Sequence, residues 1–223
     1  MKLLNLYIKY AIAVYGIFAI LLDTSKTVPF VCPCIPPKIK EDVIDSSSHN
    51  YASIKIFLDI SGIDKDDLLL YSFNSNLESC NFAVVLDRAN KTVIVAIQGT
   101  TSLRDFLTDL NVNKEVIDPG LALGYSGIHY AHKGILRAGN WILGRLTNSE
   151  TVVREMESNK IVTIGHSLGA GVASILAIFL RSFFLRTTKP FPKDKVHCLA
   201  LAPPKIFDSY MSQHSITREI ISF

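Results

Sequence analysis

Apolar positions along the chain change their period several times, and each change marks an element. Residues 81–99, "NFAVVLDRANKTVIVAIQG", hold two β-rich runs divided by the turn composition "DRAN"; they predict a hairpin, with "LLLYSF" at 68–73 as a strand before it. "TTSLRDFLTDL" (100–110) switches to helical spacing: Leu103, Phe106, Leu107 and Leu110 share a face, and Ser102 with Asp105 resembles a capping box. "NVNKEVIDPGLALGYSG" (111–127) reads as a glycine-bearing loop, and "HKGILRAGNWILGRL" (132–146) as an amphipathic helix through Ile135, Ala138, Ile142 and Leu146. "KIVTIG" (160–165) is short, apolar and β-branched, the composition of a strand buried in a parallel sheet. "SLGAGVASILAIFLRSFFL" (167–185) is apolar on nearly all sides, which suits a helix against the sheet centre. The basic loop "RTTKPFPKDK" leads to another buried strand, "VHCLALAPP", stopped by proline, and "REIISF" opens a further one. The alternation predicts one α/β domain, and 223 residues suffice to bury its core.

The N-terminus has a different pattern. Residues 3–22 are apolar except for Asn5 and Lys9. Three readings stay open: a membrane-embedded or interfacial helix, a signal sequence, or a buried helix. "PFVCPCIPPKIKEDVIDSSSHN" (29–50) gathers prolines, charges and serines and reads as a linker. The expected organisation is therefore an apolar membrane-proximal segment at 1–28, a linker at 29–50 and a folded body at 51–223.

Composition narrows the classes. Hydrophobic residues make up 48% of the chain, high for a soluble enzyme, which is what draws attention to the apolar N-terminus. The balance of 23 Lys+Arg against 20 Asp+Glu is too even to suggest a nucleic-acid partner. Cys32, Cys34, Cys80 and Cys198 have no metal-ligand spacing and support no disulfide framework, so no metal site is expected. Cys32 and Cys34, just after the apolar segment, are candidates for reversible acylation or plain loop cysteines; Cys80 and Cys198 read as core or near-core thiols.

"KIVTIGHSLGAG" (160–171) carries the chemistry. Gly165-His166-Ser167-Leu168-Gly169 fits G-x-S-x-G with a strand before it and a small-residue helix after it, the context of a nucleophile elbow. The glycines at 165 and 169 remove side chains where the backbone turns sharply, and Ser167 stands at a helix N-terminus that favours developing negative charge. His166 is expected to point away from the nucleophile into the fold, packed and hydrogen-bonded. The Leu168 N–H is the first oxyanion donor by elbow geometry, and Thr100, after the strand in "VAIQGTTSLRDF", is the second.

Together, "VAIQGTTSLRDFLTDL", "AHKGILRAGNWI", "IGHSLGAGVASILAIFLR" and "CLALAPPKIFD" resemble the class 3 lipase family of α/β-hydrolases, and within it the sn-1-specific diacylglycerol lipases. The resemblance implies an α/β-hydrolase-type mixed, mostly parallel sheet with flanking helices, its C-terminal strands missing beyond Phe223. It implies Ser167 as nucleophile, Thr100 and Leu168 at the oxyanion hole, and His132 as a support for its helix. "YIKYAIAVYG" (7–16) is similar to the segment that joins membrane helices to the catalytic domain in those lipases, and Gln98 departs from the arginine usual before the glycine-threonine pair. The acid and base follow in the order Ser, Asp, His, later than this chain extends. Inside the chain, Asp208 and His214 keep that order, but so close a pair, with no strand between, needs an unusual loop to reach Ser167.

The expected function is hydrolysis of the sn-1 ester of diacylglycerol at a membrane through an acyl-enzyme, with the truncated chain open to being inactive. The resemblance implies a glycerolipid substrate, plasma-membrane association with a cytoplasmic catalytic domain, and calcium as the family's cofactor, although no calcium-ligand cluster stands out. Two other readings are a catalytically impaired lipase-like membrane protein that binds lipid or protein, and a secreted soluble serine esterase.

Overall fold

A computed structural model describes residues 2–15, 51–72, 80–99, 114–117, 129–187, 192, 194–207, 209–214, 217–218 and 221–222. The strands are β1 (Leu68–Ser72), β2 (Phe82–Asp87), β3 (Thr92–Ile97), β4 (Lys114–Ile117), β5 (His129–His132), β6 (Lys160–His166), β7 (Val196–Leu201) and β8 (Ile221–Ser222). The α-helices are α1 (Lys2–Ala13), α2 (Tyr51–Ser61), α3 (Lys133–Thr147), α4 (Glu150–Ser158), α5 (Leu168–Thr187) and α6 (Ser209–Gln213).

Six strands form one mixed sheet in the order β1-β2-β3-β6-β7-β8, antiparallel from β1 to β3 and parallel from β3 to β8. The predicted β2–β3 hairpin closes where "DRAN" stands: Asp87 pairs with Thr92 and its carboxylate accepts from the Asn90 N–H at 3.1 Å and Nδ2 at 2.8 Å, while Lys91 takes φ 48°. An aspartate that caps its own turn spares the backbone an unpaired donor at the reversal.

Strand alternation divides the core into two layers. Phe82, Val84, Leu86, Val93, Val95, Ile97 and Ile161 face α3, α4 and α5, and pack with Ile135, Ile142, Val152, Met156 and the length of α5. Ala83, Val85, Ile94, Ala96, Val162, Ile164 and Leu199 face the other side and meet α1 and α2. Both faces being covered explains why β2, β3 and β6 read as continuous apolar runs. Among the described residues α5 is the one helix long and apolar enough to cross a membrane, and most of it is buried inside this fold.

Helix α1 takes the buried reading over its described residues. Tyr7, Tyr10, Ala11, Ala13 and Val14 join Ile54 and Phe57 of α2 and the sheet in one cluster, so this part of the segment expected beside the membrane belongs to the core of the body. Its outer side leaves Leu6, Ile8 and Ile12 exposed. Residues 16–50, with the expected linker, Cys32 and Cys34, lie outside the described residues, as do the expected helix at 100–110 and its capping box.

Several elements differ from the sequence expectation, among them β4, β5, α2, α4 and α6. The loop at 111–127 contains β4, which pairs antiparallel with β5; Ile117 is buried and Val116 is exposed, an alternation too short to stand out. Helix α2 precedes β1 and anchors through Ile54 and Phe57. Helix α4 is capped by the Ser149 side chain, which accepts from the Val152 N–H at 3.4 Å, and buries Val152 and Met156 alone. Helices with so narrow an apolar stripe draw their stability from the layer they cover.

The two described cysteines are thiols, as expected. Burial pushes the Cys198 thiol up to about 11, and Cys80, half-buried as a residue, has its thiol pushed up to about 12 by the same cause. Thiolate is the reactive form, so both should resist iodoacetamide in the native chain near neutral pH and react once the chain is unfolded. Peptide mass spectrometry checks this; native alkylation of Cys198 would contradict the packing described here.

Candidate active site

Ser167 lies between the last residue of β6 and the first of α5, with φ 56°, in the left-handed region that L-residues avoid. The conformation is held from both sides. Its N–H donates to the Leu201 carbonyl at the end of β7 at 2.9 Å, and its carbonyl accepts from the N–H groups of Ala170 at 3.0 Å and Gly171 at 3.2 Å. A strained serine fastened to a strand end and to the first turn of a helix is the geometry of a nucleophile elbow. The side chain is 8% exposed as a residue, and among the described residues none hydrogen-bonds to its hydroxyl.

The two motif glycines are required by close backbone contacts. A Cβ on Gly165 would lie 2.4 Å from the carbonyl carbon and oxygen of Gly169 and 2.8 Å from the Ala170 nitrogen. One on Gly169 would lie 2.5 Å from the Ile97 oxygen, 2.8 Å from the Gly99 nitrogen and 2.9 Å from the Gln98 carbonyl carbon. The exit of β3 and the start of α5 therefore touch backbone to backbone. Leu168, as the first helical residue, has an N–H with no acceptor inside the helix. The residue after Gly99 is Thr100, which lies outside the described residues, but its neighbour is fixed against the elbow.

Gln98 shows how that loop is held. It is buried; its Oε1 accepts from Asn81 Nδ2 at 2.6 Å and its N–H donates to the Asn81 carbonyl at 2.8 Å. Asn81, at the head of β2, thus clamps the exit of β3, and nothing in the sequence singled it out. His132 ends β5 and caps α3, its Nδ1 accepting from the Ile135 N–H at 3.4 Å.

His166 departs from expectation. It is exposed rather than packed, on the sheet face that carries α1, with Nδ1 3.5 Å from the hydroxyl of Tyr15. Tyr15 also accepts the Gly99 N–H at 3.2 Å, a contact the N-terminal apolar pattern concealed. Asp208 lies outside the described residues. It follows Ile206 and Phe207, which meet the end of β5 through an Ala131–Phe207 bridge and a 3.2 Å hydrogen bond from the His132 N–H to the Ile206 carbonyl. His214 sits just past α6, half-buried, and is not joined to Ser167. Among the described residues no three histidine, cysteine or acidic side chains converge.

The family model described as lipase (class 3) matches residues 94–219, from inside β3 past α6. Diacylglycerol lipase-beta of Mus musculus is 34% identical over 77% of the chain, and diacylglycerol lipase-alpha of Homo sapiens 32% identical over 62%. The chain spans 24% and 13% of those two proteins. Crystal structures of a mono- and diacylglycerol lipase from Aspergillus oryzae (TM-score 0.60, 22% identity) and of lipase II from Rhizopus niveus (TM-score 0.61, 16% identity) share the fold, each covering 98% of this chain; the chain spans 68% and 67% of them. With the matched segment holding β6, Ser167 and α5, the chain belongs to the class 3 lipase family of α/β-hydrolases.

Proposed function

We propose that the protein is a serine carboxylic-ester hydrolase that cleaves the sn-1 ester of diacylglycerol at a membrane. The observation that carries this reading is Ser167, strained at φ 56° between β6 and α5 beside the unpaired first-turn amide of Leu168. Its hydroxyl oxygen attacks the ester carbonyl carbon, and the carbonyl electron pair moves onto oxygen. The Leu168 N–H, with Thr100 as second donor, receives that charge. Collapse of the tetrahedral intermediate expels the glycerol oxygen, which takes up the proton given up by the Ser167 hydroxyl and leaves as monoacylglycerol; water then adds to the acyl-enzyme, its oxygen leaving in the fatty acid and one of its protons returning to Ser167 Oγ. A diacylglycerol is confined to lipid surfaces, so the substrate itself implies membrane association, here assigned to the cytoplasmic face of the plasma membrane.

The substrate assignment draws support from the likeness to proteins named diacylglycerol lipase. Mixed micelles of diacylglycerol labelled in the sn-1 acyl chain test it. Labelled fatty acid should be released by the chain and not by Ser167→Ala. Release from the sn-2 position alone would sink the positional assignment.

A second reading, a lipase-like protein that binds lipid without turnover, is favoured by one observation: among the described residues no imidazole reaches the Ser167 hydroxyl. An unactivated serine is a weak nucleophile. Lipid binding with neither acyl release nor reaction with a fluorophosphonate would establish that reading.

A further inference from the structure

We propose that Tyr15 is a positioning residue that ties the oxyanion loop to the nucleophile elbow, which makes α1 a working part of the active site; this rests on the hydrolase reading above. The ladder that joins β3 to β2 and β6 ends at Ile97. Beyond it, the Gly99 N–H donates to the Tyr15 hydroxyl at 3.2 Å. The same hydroxyl lies 3.5 Å from Nδ1 of His166, the residue before the nucleophile, and donates to it when the imidazole carries its proton on Nε2. One oxygen thus spans the exits of β3 and β6, one residue before the proposed oxyanion donor and one residue before the serine.

Gly99 makes the approach feasible. A Cβ there would lie 2.7 Å from the Tyr15 hydroxyl oxygen and 2.5 Å from the His166 carbonyl oxygen. The tyrosine is itself held by the body of α1: Tyr7, Tyr10, Ala11 and Val14 are buried against the sheet, and the Tyr15 N–H donates to the Ile12 carbonyl at 3.1 Å. Burial raises the phenol further above its ordinary value, so it stays protonated and keeps the donor that faces His166. A tyrosine packed for bulk alone would not need its hydroxyl aimed at a backbone amide between the two halves of the site. All of α1 lies outside residues 94–219, so the tether is supplied by a part of the chain that the family match does not reach.

Tyr15→Phe keeps the ring and removes the tether. Two readouts are taken on the full chain: hydrogen exchange at the Gly99 amide, with Val95 in the core as reference, and the rate of fluorophosphonate reaction at Ser167. Losing one such hydrogen bond should speed Gly99 exchange, and lower the maximal inactivation rate at unchanged probe affinity, each by about 5- to 10-fold, with Val95 unaltered. Unchanged Gly99 exchange overturns the proposal, as does an unchanged inactivation rate in a wild-type chain that reacts. If wild type does not react, the hydrolase reading fails on its own and Gly99 exchange still decides the tether. If the variant disturbs the core, wild type is decisive: Gly99 must be protected, and exchange at the rate of an unstructured glycine overturns the proposal.

Discussion

Ser167→Gly should abolish hydrolysis while making the protein more stable. The substitution removes the attacking oxygen, and loss of a nucleophile of this kind costs about 10³-fold or more in turnover. It also removes a Cβ from a residue held at φ 56°. Relief of left-handed strain is worth about 1–2 kcal/mol, offset by about 0.5–1 kcal/mol for the extra freedom glycine gives the unfolded chain. The net gain of about 0.5–1 kcal/mol should raise the melting temperature by about 1–4 °C. Ser167→Ala separates the two effects, since it loses the oxygen and keeps the strain. Calorimetry beside an acyl-release assay reads both, and a melting temperature for Ser167→Gly below that of Ser167→Ala would contradict the assigned backbone.

The second large effect concerns the glycines that flank the serine. Gly169→Ala should destabilise the fold by about 3 kcal/mol or more, because the new methyl would meet the backbone of Ile97, Gln98 and Gly99, at 2.5 to 2.9 Å. Backbone within a sheet cannot swing aside as a side-chain tip does, so α5 must move away from β3 and carry the Leu168 amide with it. Gly165→Ala meets Gly169 and Ala170 at 2.4 to 2.8 Å and should behave alike. Gly144→Ala is the matched control: it lies inside α3 with nothing within 4 Å of the added Cβ, and should stabilise by about 0.5–1 kcal/mol. Chemical denaturation of the three variants tests the contrast in sign, and a mild effect of Gly169→Ala would refute the backbone contact at the elbow.

The crowding at Gly165 and Gly169 beside the open space at Gly144 shows where sequence pattern suffices and where it does not. The elbow was legible because strand, G-x-S-x-G and small-residue helix are local features, each constrained by its neighbours in the chain. The same holds for the β2–β3 hairpin, whose turn is written into Asp87 and Asn90. Helix α1 was only half legible. Tyr7, Tyr10, Ala11 and Val14 have the spacing of a helical stripe, yet the residues between them are also apolar, so the pattern fits a lipid environment as well as a protein core. In the structure the stripe is buried, and burial is a property of what α2 and the sheet place opposite.

The sequence by itself determined the order of elements around Ser167, the two-sided apolar character of β2, β3 and β6, and the family, because periods and motifs act over a few residues. Only the tertiary structure decided which distant residues serve the site. Asn81 reaches Gln98 because β2 and β3 are antiparallel neighbours, and Tyr15 reaches Gly99 and His166 because α1 lies across the sheet that brings β3 beside β6. Gly169 is indispensable for the same reason: its steric partners, Ile97 to Gly99, are remote in the chain and adjacent only when the parallel ladder forms. Side-chain types and local spacing record what each segment prefers, whereas contacts across a sheet depend on register and layer order that no single segment contains.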